Sequence, residues 1–325
     1  AKTEPTPIAE DAQIVAAEEV LATISDQKTT PINISNKLVD PVINDFYNWY
    51  ASLSISERVG STSEFGMFLT DLEASISRIL EISEYFVDSE NSLELCQYTK
   101  LSTLKYLLKA EAETASAPMP KFRLSNVAYL NDPSEGQVFI NLLNSFVSTP
   151  IFNDIFGVSF DPDEQPLAEI HLNAVYIGSF SIAKNKLPLW SLYGDDSKGC
   201  CIVFDNSFFA SSSNQADVYS SKEYEQDIRL YRVHYINVRN CQNKSDEILI
   251  VIRNIATSIE KWTKVIMQNV TLLRWIVNKL DEIRFLFKCD DYSYEYEVRL
   301  ILRDDDANRP FVDRTTEVPK LFINV

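Results

Sequence analysis

The chain has 325 residues, 45% of them apolar, with 18 Phe and 15 Tyr, which is enough for one large domain or two moderate ones and unlike a disordered chain. Thirty basic residues stand against 47 acidic ones, a net charge of −17. That field repels phosphate backbones, so it argues against broad nucleic-acid binding and leaves room only for a local basic pocket.

The acidic excess is uneven. Residues 1–120 hold 8 basic and 19 acidic side chains, and the remainder 22 and 28. Five cysteines, two of them adjacent at Cys200 and Cys201, make a poor disulfide framework and fit reduced thiols in a cytoplasm. With no CxxC pair and two histidines, His171 and His234, no metal site is expected. No apolar run approaches the ~20 residues of a membrane helix. The opening AKTEPTPIAEDAQ lacks both the pattern of a secretory signal and an initiator Met. The chain therefore reads as a processed product or a piece of something longer.

Residues 1–36 read as a flexible acidic leader, with one short amphipathic helix over Asp11–Ile24. Residues 37–92 read as a helical N-terminal region. Val42, Phe46, Trp49 and Tyr50 follow helical spacing, and a second helix spans Ser63–Phe86 with Ser61 or Ser63 as N-cap. Residues 93–325 read as a mixed domain. It starts with an extended LELCQYT, capped by Thr99 into a helix over Thr103–Ala115. A strand over Phe122–Asn126, a turn at Asn131-Asp132-Pro133 and a helix from Glu135 to Val147 come next. Ser148–Leu167 reads as an irregular insertion.

Strands at 176–181 and 200–204 bracket a turn punctuated by Pro188, Gly194 and Gly199. Ile228–Ile236 alternates as a half-buried strand, and Ser245–Lys288 has the spacing of one long helix or two. Tyr292–Arg303 alternates again. Its face of Tyr294, Tyr296, Val298, Leu300 and Leu302 opposes one of Glu295, Glu297, Arg299 and Ile301. The expected fold is α+β: a helical N-terminal region, then a twisted, mainly antiparallel β-sheet flanked by helices.

Four groupings carry candidate chemistry. Glu295 and Glu297, two apart on a strand, point the same way roughly 6–7 Å apart. Such a pair sets one carboxylate against a ribose hydroxyl and the other against a nucleophile, and crowding raises one pKa. The competing reading is a solvated face on which Arg299 is an ion-pair partner. Ser179 and Ser181 project together toward the long turn, where they orient a polar ligand or bond turn backbone. Arg123, which grips phosphates or carboxylates, stands near Asn131 in RLSNVAYLNDPSEG. Trp190 and Tyr193 share one face of a helical turn, where they line a cleft or simply pack.

Four segments, QYTKLSTLKYLL, RLSNVAYLNDPSEG, IGSFSIAKNKLPLWSLYGDDSKGCCIVFD and YEYEVRLIL, resemble in this order a bacterial family known as domain of unknown function 2971, over residues 93–305. Some of its members look like abortive-infection or toxin components. Its motif order is similar, more distantly, to NAD-dependent ADP-ribosyltransferases. That resemblance implies NAD as co-substrate, no metal, and a role for Tyr98, Ser181 and Glu297 around the nicotinamide ribose, with Glu295 as the upstream acid. It implies that Tyr193 or Trp190 stacks on nicotinamide. Gln97 stands where a His or Arg is expected, so Arg123 takes over the contact to the pyrophosphate. The expected function is an NAD-using effector of bacterial defence or toxin type. The alternatives are a non-catalytic interaction module, docking a protein partner through the acidic N-terminal region, and a nucleic-acid-directed abortive-infection effector.

Overall fold

In the computed structural model the 175–181 strand pairs directly with the late glutamate strand in the middle of one sheet, and the 200–203 strand lies at one end of the strand order, with 96–99 between it and 175–181. The structure describes residues 41–86, 94–108, 123–127, 130, 135–157, 175–204, 229–240, 246–303, 311–313 and 320–324. The expected leader at 1–36, Asn131, His171 and the insertion beyond Gly157 lie outside these residues. The chain divides into a unit ending at Asn48 and a unit from Trp49 to Val325. The first is described only by the opening turns of helix α1 (Pro41–Ser52), which starts on a proline whose fixed φ suits that position.

The elements of the second unit follow in order. Helix α2 (Thr62–Ser83) is opened by a capping box in which Ser61 and Glu64 satisfy each other's backbone donors. Strand β1 (Cys96–Thr99) leads into α3 (Leu101–Leu108), and β2 (Arg123–Asn126) precedes α4 (Gln137–Asn144) and α5 (Phe152–Gly157). Strand β3 (Val175–Ser181), α6 (Leu187–Leu192) and β4 (Cys200–Val203) make the expected central unit. Strands β5 (Leu230–Arg232) and β6 (His234–Ile236) are followed by α7 (Glu247–Ile266), α8 (Val270–Arg284) and β7 (Phe287–Cys289). A 3-10 turn (Asp290–Glu295) leads to β8 (Glu297–Arg303), β9 (Phe311–Asp313) and β10 (Lys320–Asn324). No described helix is long and apolar enough to cross a membrane.

Eight strands form one antiparallel sheet, in the order β4-β1-β3-β2-β10-β9 with β8 on β3 and β5 on β8. Strand β8 covers one edge of β3 over its whole length, from Val175↔Arg303 to Ser181↔Glu297. The period of two then sorts the faces. Tyr176 and Phe180 join Val298, Leu300 and Leu302 in an apolar cluster with Tyr85, Leu95, Leu124 and Leu230. The other face carries Ser179, Ser181, Glu297 and Arg299. A separate layer packs α2 against α7 and α8, through Phe65 and Phe68 on the Trp262 ring at 5.4 and 5.7 Å.

Four expectations are corrected. The late strand begins at Glu297, not Tyr292, because Tyr296 turns the chain in the left-handed region at φ 47°. The alternating 228–236 segment breaks at Val233, and β6 leaves the main sheet to pair in parallel with β7. The 245–288 stretch is two helices, one of the two forms expected, with the second capped by the Asn269 side chain, but its end is strand β7 rather than helix. Lys100, not Thr99, gives α3 its first carbonyl, accepting from Leu104.

Gly199 fixes how closely β1 and β4 approach. A Cβ there would lie 2.2 Å from the Thr99 carbonyl oxygen, whereas one at Gly157 would meet nothing within 4 Å. Gly199→Ala is therefore expected to cost about 1–3 kcal/mol through forced backbone displacement. Gly157→Ala, in a helix, should gain about 0.4–1 kcal/mol. Urea unfolding of both variants checks the pair.

Candidate functional site

The site grows from a gap in the sheet. With β8 along one edge of β3, its other edge is shared by β1, which meets it where Cys96 faces Ser181, and β2, which meets it at Tyr176 and Ile177. Gly178 to Phe180 lie between these contacts. A cavity of about 260 Å³ opens there, bounded by Gln97 and Tyr98 of β1, the 177–181 stretch of β3, and Leu189 and Tyr193 of the α6 segment. Glu135, Lys288, Glu295 and Glu297 also line it.

A buried ion cluster forms the floor. Arg299, 1% exposed, lies in the plane of the Glu297 carboxylate, with Nε donating to Oε1 at 2.8 Å and Nη2 to Oε2 at 2.9 Å. Its outer nitrogens also donate to both Glu135 oxygens, at 2.8 and 2.7 Å, and Nη1 donates to the Phe285 carbonyl at 2.7 Å. The planar guanidinium supplies donors in a fixed fork, which suits two carboxylates at once. Lys288 Nζ lies 2.6 Å from Glu295, 3.4 Å from Glu297 and 3.6 Å from Glu135. Tyr193 donates to the other Glu295 oxygen at 2.7 Å. The Glu297 amide donates to the Tyr235 hydroxyl at 2.8 Å, tying β8 to β6.

The surroundings push the two late glutamates apart. Burial pushes Glu297 up, but Arg299, then Lys288 and the Ser179 hydroxyl, outweigh it and hold the carboxyl at about 2. Burial likewise pushes Glu295 up, and there the bonds from Lys288 and Tyr193 offset only part, so it stays above the ordinary range. Burial, and then the bond to Glu295, raise Tyr193, which keeps its proton and donates it. Burial pushes the Cys96 thiol up to about 12, which makes it inert rather than nucleophilic.

The residues singled out from sequence fare unevenly. Tyr98, Ser179, Ser181, Tyr193, Glu295 and Glu297 line one cavity. Glu295 does so from the 3-10 turn rather than from a strand. The Ser181 hydroxyl is taken by backbone, donating to the Glu295 carbonyl at 2.5 Å and accepting from Ala183 at 3.0 Å. Tyr98 donates to the Ala183 carbonyl at 2.9 Å, and Trp190 braces it edge-on at 5.1 Å between ring centres. Gln97 donates to the Ser179 carbonyl at 3.3 Å. Arg123 opens β2, and its side chain, like Asn131, lies outside the described part of the structure. The expected solvated face with Arg299 as ion-pair partner is half right, since the pair exists but is buried.

Sequence reasoning gave no site role to Lys288 or Tyr235, and counted Glu135 only within the polar stretch beside Arg123. The available signal was Lys288 itself, a lone charge in the apolar run FLFKC, which calls for a buried counter-ion. Cys289, Asp290 and Asp291 are the one grouping of possible metal ligands among the described residues. There Asn237 donates to Asp290 at 3.0 Å.

Removing one partner of a buried ion pair strands the other, at about 3–5 kcal/mol. Arg299→Met should therefore lower Tm by roughly 10 °C in a unit of this size. The Glu297 share of that stability is present above the ordinary glutamate range and is lost as pH falls toward about 2. The gap in Tm between wild type and Arg299→Met, followed by calorimetry, should accordingly hold from pH 7 to 5 and narrow below pH 4.

No curated protein and no solved structure matches the chain. A family described as "Protein of unknown function (DUF2971)" matches residues 189–300, from α6 to β8. The matched stretch contains Tyr193, Lys288, Glu295, Glu297 and Arg299, and about a third of the chain. Over residues 189–300 the chain is similar to the domain-of-unknown-function 2971 family.

Proposed function

We propose that the chain is an NAD-using transferase of ADP-ribosyl type, with the cavity beside β3 holding the nicotinamide ribose. The observation that carries this reading is the split between two carboxyl groups on one cavity. Glu297 is held ionised at about 2 and Glu295 is raised. Environments that push a carboxyl pair apart assign the charge-stabilising and proton-handling roles. At about 260 Å³ the cavity lies below the usual 300–1,000 Å³ of small-molecule sites, so it suits a nucleoside-sized group rather than a whole dinucleotide.

In this mechanism the bond from the ribose C1 to the nicotinamide nitrogen breaks, and its electron pair leaves with the nitrogen. The Glu297 carboxylate stabilises the positive charge that develops on the ring. Glu295 takes the proton from an acceptor hydroxyl or amine as its new bond to C1 forms. Arg299 and Ser179 keep Glu297 ionised and aligned, and Tyr193 orients Glu295.

A second reading rests on a different observation. Every outer nitrogen of Arg299, and both Glu297 oxygens, are satisfied within the protein. A complete buried network holds β8 to the Glu135 and Phe285 segments without any chemistry. On this reading the chain is a non-catalytic binding module.

Release of nicotinamide from labelled NAD separates the two. The enzyme reading expects turnover by wild type, and losses of about 10²–10³ in Glu297→Gln and about 10²–10⁴ in Glu295→Gln. Equal turnover by wild type and Glu297→Gln, or no NAD binding by calorimetry, removes it. Because Glu295 acts as a base with a raised pKa, kcat/KM should fall with pH from above the ordinary glutamate value. Tyr193→Phe removes a bond that lowers that pKa, so the limb should move to higher pH.

A further inference from the structure

We propose that the cavity beside β3 selects an organic cation of nucleoside size that carries hydroxyl groups, and disfavours a phosphate in the same space. The inference deepens the nicotinamide-ribose reading and rests on it for the choice of ligand, but not for any catalytic step. It follows from counting the charges that surround the cavity. Three carboxylates line it, from Glu135, Glu295 and Glu297. Among the described residues Lys288 is the one basic side chain that lines it. Arg299 lies behind, 1% exposed, and serves Glu135 and Glu297. With all five groups charged, the cluster is one positive charge short.

Lys288 is already committed to carboxylates, bonding Glu295 and Glu297. Its ammonium is within 3.6 Å of all three carboxylates. An anion entering here would face those carboxylates with no unengaged cation among the described lining residues. A monocation completes the balance instead, in a setting where an uncompensated buried charge is expensive. The rest of the lining fits such a guest. The rings of Tyr98 and Tyr193 border the cavity, and aromatic faces attract organic cations. The carboxylates offer acceptors to sugar hydroxyls.

Three probes test this on the full chain. They are oxidised nicotinamide riboside, a cation; its reduced form, neutral and of nearly the same shape; and inorganic phosphate. Thermal shift and calorimetry should show the oxidised riboside binding at least tenfold more tightly than either of the others. Glu295→Gln, which balances the cluster, should shrink that preference by about tenfold. Equal or tighter binding of the reduced riboside, or of inorganic phosphate in competition with the oxidised riboside, overturns the inference. So does no riboside binding at millimolar concentration, or an unchanged preference in a Glu295→Gln protein whose Tm matches wild type. A retained cation preference without NAD turnover would sink the transferase reading alone. Turnover of NAD without the preference would sink this inference alone.

Discussion

The guanidinium of Arg299 organises this protein's sheet. It is buried between Glu297 on its own strand and Glu135 at the start of α4, and it also donates to the Phe285 carbonyl at the end of α8. One planar group thus ties β8 to two helical segments. An isolated buried charge of this kind is prohibitive, so its partners are obligatory, and the geometry of the site follows from them. With Glu297 held flat against Arg299, its carboxylate faces the gap between β1 and β2. Lys288 then bridges to Glu295, which the left-handed turn at Tyr296 has swung off the strand.

The gap is the second constraint. A seven-residue β3 fully paired on one edge and touched only near its ends on the other leaves three residues beside open space. The walls of that space are rigid because their polar groups are already used. Tyr98 and Ser181 are bonded to strand and turn backbone, and Trp190 braces Tyr98. Glu295, Tyr193 and Lys288, bonded to one another at 2.7 and 2.6 Å, complete the lining. Preorganised walls around a few titratable groups are what a site for charge-developing chemistry needs.

Local signals made much of this legible. The alternation of Val298, Leu300 and Leu302 gave the strand and its buried face. The serine strand and the glutamate strand were correctly expected to lie in one sheet. The helical spacing of the apolar residues and Ser61, one of the two expected caps, gave the first long helix. Glu295 was misplaced because Tyr296 adopts φ 47°, a conformation that sequence patterns do not mark in a tyrosine. Glu135 and Arg299 are 164 positions apart, so no periodicity could link them. Lys288 was hidden in a run that reads equally as helix or strand until its counter-ions are known. The ends of the 228–236 segment part because Val233 donates to the Glu297 carbonyl while His234 donates to Leu286, on different strands.

The account stands on the claim that two glutamates on one cavity hold opposite protonation behaviour. Carbon-13 NMR of the side-chain carboxyls, with Glu295→Gln and Glu297→Gln for assignment, measures it directly. The account predicts that the Glu297 signal stays that of a carboxylate down to pH 4 or below, consistent with a value of about 2, while Glu295 titrates above the ordinary glutamate range. Two signals titrating together near the ordinary value would contradict it.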